Sequence, residues 1–417
     1  MPSWTEASAS SEAIDGPVLQ GQDHGTMSDS TTALLRPTLL LVLVALAAFA
    51  VRPAAAAAAK PGPQTVYVGT YTDGTSRGIY RFTFDPATGA TTEPVLAVET
   101  KNPSFLALHP SGRFLYAVGE ISSFEGQKTG AVSAFAVDPK TGDLTLLNQQ
   151  PSEGAGPCHL VVDKTGKNVL VANYGGGTVA VLPIDAHGRL KKASSVRVHE
   201  GSGPNQARQQ KPHAHGIYLD PAERFAFSPD LGADCIFVYR FDAARGTLEP
   251  HGAAPLDPGS GPRHLAFHPN GKVLYSINEL LSTVTVFSYD PDKGALEKVQ
   301  VLSALPAGFA GTSWTAEIEV SRDGRFAYGS NRGDDSLAVF TVDPATGRLA
   351  VAGHVPVGGK YPRHFTIDPT GGWLLAAHQN SATIAVFKLD PATGMPSPVG
   401  GTVKVDKPVC VLPVARH

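Results

Sequence analysis

Phe82-Thr83-Phe84-Asp85-Pro86-Ala87-Thr88-Gly89 is an alternating apolar run that ends in Asp-Pro-x-x-Gly. Alternation with period two marks a half-buried strand. Asp and Gly at these offsets close a tight turn between two strands. The turn recurs, sometimes degraded, starting at Asp138, Asp185, Asp242, Asp290, Asp343 and Asp390, which makes seven copies. Their mean spacing of about 51 residues lies in the range of repeat architectures. An EF-hand is excluded, because the loop is too short and lacks spaced oxygen ligands.

A second turn runs ahead of the first, His109-Pro110-Ser111-Gly112-Arg113, with relatives beginning at Asp163, Asp220, His268, Ser321 and Asp368. The missing seventh copy is supplied by the ends of the chain. Val409-Cys410-Val411-Leu412 matches the strand before this turn, and Val66-Tyr67-Val68-Gly69-Thr70 matches the strand after it. The expected fold is therefore all-β, a seven-bladed β-propeller of four-stranded blades, A to D, with A nearest the axis. Its last blade takes strand A from the C-terminus and the other three from the N-terminus. Such closure removes the exposed edges that a linear repeat would leave.

The composition agrees. Gly 44 and Pro 34 are high for 417 residues, while aromatic residues are 8% and charged residues 17%, as expected of a chain that turns often and buries β-branched strands. A net charge of −3 without a long Lys/Arg run argues against a nucleic-acid partner. Cys158, Cys235 and Cys410 are odd in number and scattered, so they predict neither a disulfide framework nor a zinc pattern.

Residues 1–60 read as address and 61–417 as the propeller. Residues 1–35 are Ser/Thr/Gly-rich and lack periodicity, which predicts a disordered extension. Arg36, the apolar run from Leu39 to Val51, Arg52-Pro53 and the alanines Ala54 to Ala59 describe a secretory signal with its cleavage zone. A membrane span needs about 20 apolar residues, so no stable span is expected after cleavage. Export to the periplasm or the exterior follows, with Met27 as an alternative start. No cysteine lies near the cleavage zone to carry a lipid.

In a propeller the start of strand A and the end of strand B share a face. Strand-A starts bring Phe105, Cys158-His159, His213, His215, Arg263-His264, Glu317 and Arg363-His364 to one rim. Strand-B ends add Tyr71, Glu120, Asn173-Tyr174, Asp230, Asn278-Glu279, Asn331-Arg332 and His378-Gln379. At one equivalent position stand Phe105, His159, Gly216, His264, Glu317, His364 and Cys410; a recurring His there fits a repeated packing device or a ligand contact. The preceding position changes from blade to blade, and a costly polar residue near an axis suggests a ligand, or else a rim ion pair such as Arg263 with Glu279. His213-Ala214-His215 lacks a third metal ligand at fixed spacing, and no Gly-x-Ser-x-Gly elbow is present. Asn173-Tyr174-Gly175-Gly176-Gly177 precedes a strand rather than a helix, so it reads as a turn and not as a phosphate loop.

These residues resemble the lactonase family of seven-bladed propellers, which includes bacterial propeller-type 6-phosphogluconolactonase and fungal carboxy-muconate lactonizing enzyme. The stretches that carry the resemblance are Val68-Gly69-Thr70-Tyr71-Thr72, Gly156-Pro157-Cys158-His159-Leu160, Asn173 to Gly177, Pro212-His213-Ala214-His215-Gly216, Gly261-Pro262-Arg263-His264-Leu265, Asn278-Glu279, Ser330-Asn331-Arg332 and Pro362-Arg363-His364-Phe365. The resemblance implies an enzyme without metal or cofactor that opens a lactone ring, or closes one in the muconate branch. It places His215, Arg263, Arg332 and Glu279 in catalysis. His159, Asn173, His213, His264, Asn331, Arg363 and His364 are the expected substrate contacts.

Ester hydrolysis needs a base to activate water and a cationic or hydrogen-bonding group for the oxyanion. His215 or Glu279 would be the base, with Arg263 and Arg332 holding the oxyanion and an anionic group of a small lactone by forked hydrogen bonds. Two other readings share this rim: a non-catalytic propeller that binds ligands or partners at the cell surface, and a muconate-type cycloisomerase. The phosphorylated sugar lactone of central metabolism is cytoplasmic, so either the signal reading is wrong and the enzyme is cytoplasmic, or the exported enzyme handles another lactone, and the second reading is favoured. Oligomeric state is not legible.

Overall fold

The computed structural model describes residues 62–415; the extension, signal segment and Met27 lie outside the described residues. Within 62–415 there are thirty strands and no helix. They form seven antiparallel sheets, five of four strands and two in which the outer strand is broken into two pieces. Blades 1 to 6 take residues 106–151, 157–198, 218–255, 262–303, 314–356 and 362–404 in order. In blade 7, Pro408–Ala415 is the inner strand and pairs with Gln64–Thr70, followed outward by Gly78–Asp85 and its outer pieces Ala90–Thr91 and Val95–Glu99.

Strand B of each blade explains the apolar runs. Asn168–Asn173, Phe225–Asp230, Val273–Asn278 and Trp373–His378 are buried at every position, because each sheet is covered on both faces by its neighbours. The packing runs between blades. Val66, Val68, Phe82 and Phe84 of blade 7 share a cluster with Leu375, Ile384 and Val386 of blade 6, and Tyr275, Ile277 and Val286 of blade 4 share one with Ile318, Ala338 and Phe340 of blade 5.

The Asp-Pro-x-x-Gly turn ties blades together as well as strands. Its Asp carboxylate accepts backbone N–H groups two and three residues on, as at Asp343 with Ala345 and Thr346. Its last residue takes positive φ at Gly347 (71°), where glycine has no Cβ penalty. The carbonyl of that glycine then accepts a buried tyrosine hydroxyl from the preceding blade. Tyr67 bonds Gly142, Tyr116 bonds Gly188, Tyr275 bonds Gly347 and Tyr328 bonds Gly394, at 2.8 to 3.0 Å. Tyr275→Phe is expected to cost about 1–3 kcal/mol in urea unfolding, because a buried carbonyl loses its donor; a change within about 0.3 kcal/mol would show that the bond is not a strut.

Candidate active site

Each inner strand opens with an irregularity that decides what faces the channel. In blades 2, 4, 6 and 7 the register shifts at the strand start, leaving Cys158, Arg263, Arg363 and Val409 as extra residues without a partner across the ladder. A β-bulge re-aims the extra side chain. Cys158 and Arg363 line a cavity of about 240 Å³ at the channel mouth, with Glu120, Tyr174, Arg208, His215, Glu279, Trp314, Arg332 and Tyr361. Arg263 sits just beneath, against a gap of about 10 Å³.

Glu279 organises this mouth. Its Oε1 accepts a hydrogen bond from Arg208 Nη2 at 2.6 Å, and its Oε2 forms ion pairs with Arg332 Nη2 at 2.7 Å and Arg263 Nε at 3.2 Å. His215 Nε2 stands 3.9 Å from the same oxygen. The quartet expected in catalysis is thus brought together around one buried carboxylate. Although burial opposes ionisation, the guanidiniums of Arg332, Arg263 and Arg208 hold Glu279 well below the usual carboxylate range. Burial, reinforced by the Arg263 charge, keeps His215 well below the usual imidazole value, so the ring is neutral. Further bonds fix the guanidiniums, Arg332 to the Thr315 carbonyl at 2.8 Å and Arg263 to the Ala316 carbonyl at 2.7 Å.

A second carboxylate has the opposite environment. Glu120 accepts the Tyr71 hydroxyl at 3.0 Å and the Ser104 hydroxyl, and Tyr71 in turn accepts Arg363 Nη2 at 2.9 Å. Burial raises Glu120 above the ordinary range, only partly offset by Arg363 and these hydrogen bonds. Two carboxylates whose surroundings drive them apart are the pattern of a divided acid–base site.

Several expected contacts fall elsewhere. Asn173 and Asn331 do not line the cavity; each is buried and braces its own turn, Asn173 Nδ2 on Ser152 O and Thr178 Oγ1, Asn331 Nδ2 on Ala304 O and Ser336 Oγ. His213 stacks behind Tyr174 at 4.4 Å, with Nδ1 on the Tyr174 carbonyl. His159, His264 and His364 form a layer below the mouth. His159 and His364 accept backbone N–H groups of the next blade, from Ile217 and Val411, and His264 bonds Glu317 at 2.9 Å. A blade-to-blade bond of this kind explains why His recurs there. Phe105 packs among the three rings. Among the described residues no group of three or more His, Cys, Asp or Glu is placed to hold a metal ion.

Arg208 escapes the repeat reading. It lies in the strandless stretch between Ser195–Val198 and Tyr218–Leu219, and long connections of this kind in compact folds are usually functional. Gln209 anchors the stretch through Leu231 O and Asp234 Oδ1, which lets Arg208 reach Glu279 and the Tyr174 hydroxyl. The signal in the sequence was length, since Asp185 and Asp242 stand 57 residues apart against a mean of about 51.

Fold and site together define a seven-bladed propeller with a polar cavity at one channel mouth, guanidiniums on its wall and a braced carboxylate behind them. Residues 65–413 match the family described as lactonase, 7-bladed beta-propeller, and the chain belongs to that family of lactone-hydrolysing enzymes. It is 40% identical over 345 residues to the 6-phosphogluconolactonase of Bacillus subtilis, covering 83% of this chain and 97% of the relative. The 6-phosphogluconolactonase of Formosa agariphila is 36% identical, with 76% and 90% covered. The solved structure of the periplasmic gluconolactonase of Pseudomonas aeruginosa is similar at TM-score 0.80 and 36% identity, over 85% of this chain and all of that one.

Proposed function

We propose that the protein hydrolyses an anionic sugar lactone at this mouth, and that it works after export on a lactone other than the cytoplasmic one of central metabolism, for which 6-phosphogluconolactone serves as the test compound. The observation that carries the substrate class is the surplus of fixed cations. Arg208, Arg263, Arg332 and Arg363 converge on the mouth and the gap beneath it, and among the described residues lining these two spaces the carboxylates are Glu120 and Glu279. Similarity to 6-phosphogluconolactonases supports the class, and similarity to a periplasmic gluconolactonase supports the location.

In this reading Arg332 and Arg363 take the carbonyl oxygen as it gains charge, and Arg208, the most exposed of those paired with Glu279, meets the anionic group. Guanidinium forks suit both tasks. Glu120 accepts the proton of the attacking water. The water oxygen bonds to the carbonyl carbon, the ring C–O bond breaks, and Glu120 returns the proton to the departing ring oxygen. The neutral ring of His215 hydrogen-bonds at the reacting centre. Glu279 stays ionised and keeps the guanidiniums aimed; with its oxygens engaged by arginines, it serves as their anchor rather than as the base.

The test is acid release from 6-phosphogluconolactone and from glucono-lactone, above the spontaneous rate. The phosphorylated lactone should be favoured, and Arg208→Ala should raise KM for it about 10–100-fold while leaving the neutral lactone nearly unchanged, as expected when a charged hydrogen bond worth 1.5–3 kcal/mol is lost. Preference for the neutral lactone would overturn the anionic assignment. No acceleration of either would favour a binding propeller.

A further inference from the structure

We infer that Tyr361 determines substrate specificity, its ring forming the platform on which the C–H face of a cyclic substrate lies beside Arg332. This rests on the reading of the mouth as a lactone site.

Tyr361 occupies a position that the fold repeats. Just before strand A, one carbonyl accepts the N–H of the residue that follows strand B, and this bond recurs in six blades, from Asn102, Gly156, His213, Gly261, Tyr361 and Lys407. Five of these six residues have left-handed backbones, with φ of 46° at Asn102, 59° at Gly156, 61° at Gly261, 64° at Tyr361 and 47° at Lys407. Glycine adopts this conformation freely and Asn tolerates it, whereas a bulky aromatic residue there is an outlier. Since Gly, Asn and Lys make the same bond at the equivalent place, the backbone does not require an aromatic side chain. Strain of this sort persists only where the surroundings impose it, and it clusters at functional sites. Here the Tyr361 N–H is held by Asp335 Oδ1 at 2.8 Å and its carbonyl by the Gln379 N–H at 3.1 Å.

The strained backbone carries the ring to the cavity. The Arg332 guanidinium carbon lies 5.1 Å from its centroid, so the ring backs the same guanidinium that Glu279 and the Thr315 carbonyl hold in place. Trp314, paired across the ladder from Arg332, lines the cavity with it. A flat aromatic surface beside a fixed cation fits a polyhydroxylated ring, which offers C–H groups on its face for dispersion contact and polar oxygens at its edge.

Tyr361→Gly restores the favoured backbone and deletes the platform, while Tyr361→Phe keeps the ring. Y361G should hold its melting midpoint or raise it by about 1–3 °C, yet raise KM for the opened lactone about tenfold with kcat changed less than about threefold. Y361F should match wild type in both. A lower midpoint with unchanged KM in Y361G would make the ring a structural wedge and overturn the inference, as would a Y361F variant as impaired as Y361G. If wild type opens no lactone, the functional reading fails instead, and the platform is judged by binding of glucose 6-phosphate, an anionic polyhydroxylated ring with no ester to open, followed by tryptophan fluorescence. Weaker binding in Y361G than in wild type supports the platform; equal binding, or none to either, overturns it.

Discussion

Glu279→Gln is expected to lower kcat/KM about 10²–10³-fold and to destabilise the fold by about 3–5 kcal/mol. Both effects have one cause. The amide keeps the shape of the carboxylate but not its charge, so the buried Arg263 and Arg332, together with Arg208, lose their common counter-ion. Uncompensated buried cations are costly, and guanidiniums that repel one another no longer present their donors to the oxyanion. The sign with pH follows from the lowered value of Glu279. Its stabilisation is complete above the unfolded-state value of about 4.3 and fades as pH falls toward the folded-state value. Wild type should therefore lose stability from about pH 5 downward with a slope that E279Q lacks in part. Urea unfolding at pH 7 and pH 4 measures this, and equal slopes in the two proteins would refute the counter-ion role.

Glu120→Gln should lower kcat about 10²–10⁴-fold, the usual contribution of a general base, with little change in KM and little loss of stability. A base works only when ionised, so wild-type kcat should fall on acidification through a limb placed above the ordinary Glu range by burial. The groups that set this limb come from several blades: Tyr71, Arg363, Ser104 and Arg263 face Glu120, and Cys158 lines the same gap. In E120Q the residual rate should lose that limb. A variant that keeps full activity, or one that keeps the acid limb, would pass the proton to another group, and the neutral ring of His215 would be the next to test.

Fold and site were legible in the sequence to different degrees. The closure of blade 7 could be read because Val409 to Leu412 and Val66 to Thr70 each match half of a repeated turn unit, and period-two burial writes itself into every strand. His215, Arg263, Glu279 and Arg332 could be placed on one rim for the same reason. Rim position, however, does not fix depth or orientation. Asn173 and Asn331 share the rim and turn inward to hold their own loops, while His159, His264 and His364 lie one level down as links between blades. Arg208 could not be assigned from the repeat, because it belongs to no strand.

The sequence by itself determined the number of blades, the way the ring closes and the set of polar residues at one mouth, since all three follow from local turn chemistry and alternation repeated along the chain. Only the tertiary structure decided which of those residues meet. The register shifts at the inner-strand starts aim Arg363 and Cys158 into the cavity. Folding over of the 199–217 connection brings Arg208 to Glu279. Two glutamates of identical chemistry then diverge, Glu279 ionised among arginines and Glu120 raised by burial. Such differences arise from charges and desolvation assembled across blades, and nothing local to either residue encodes them.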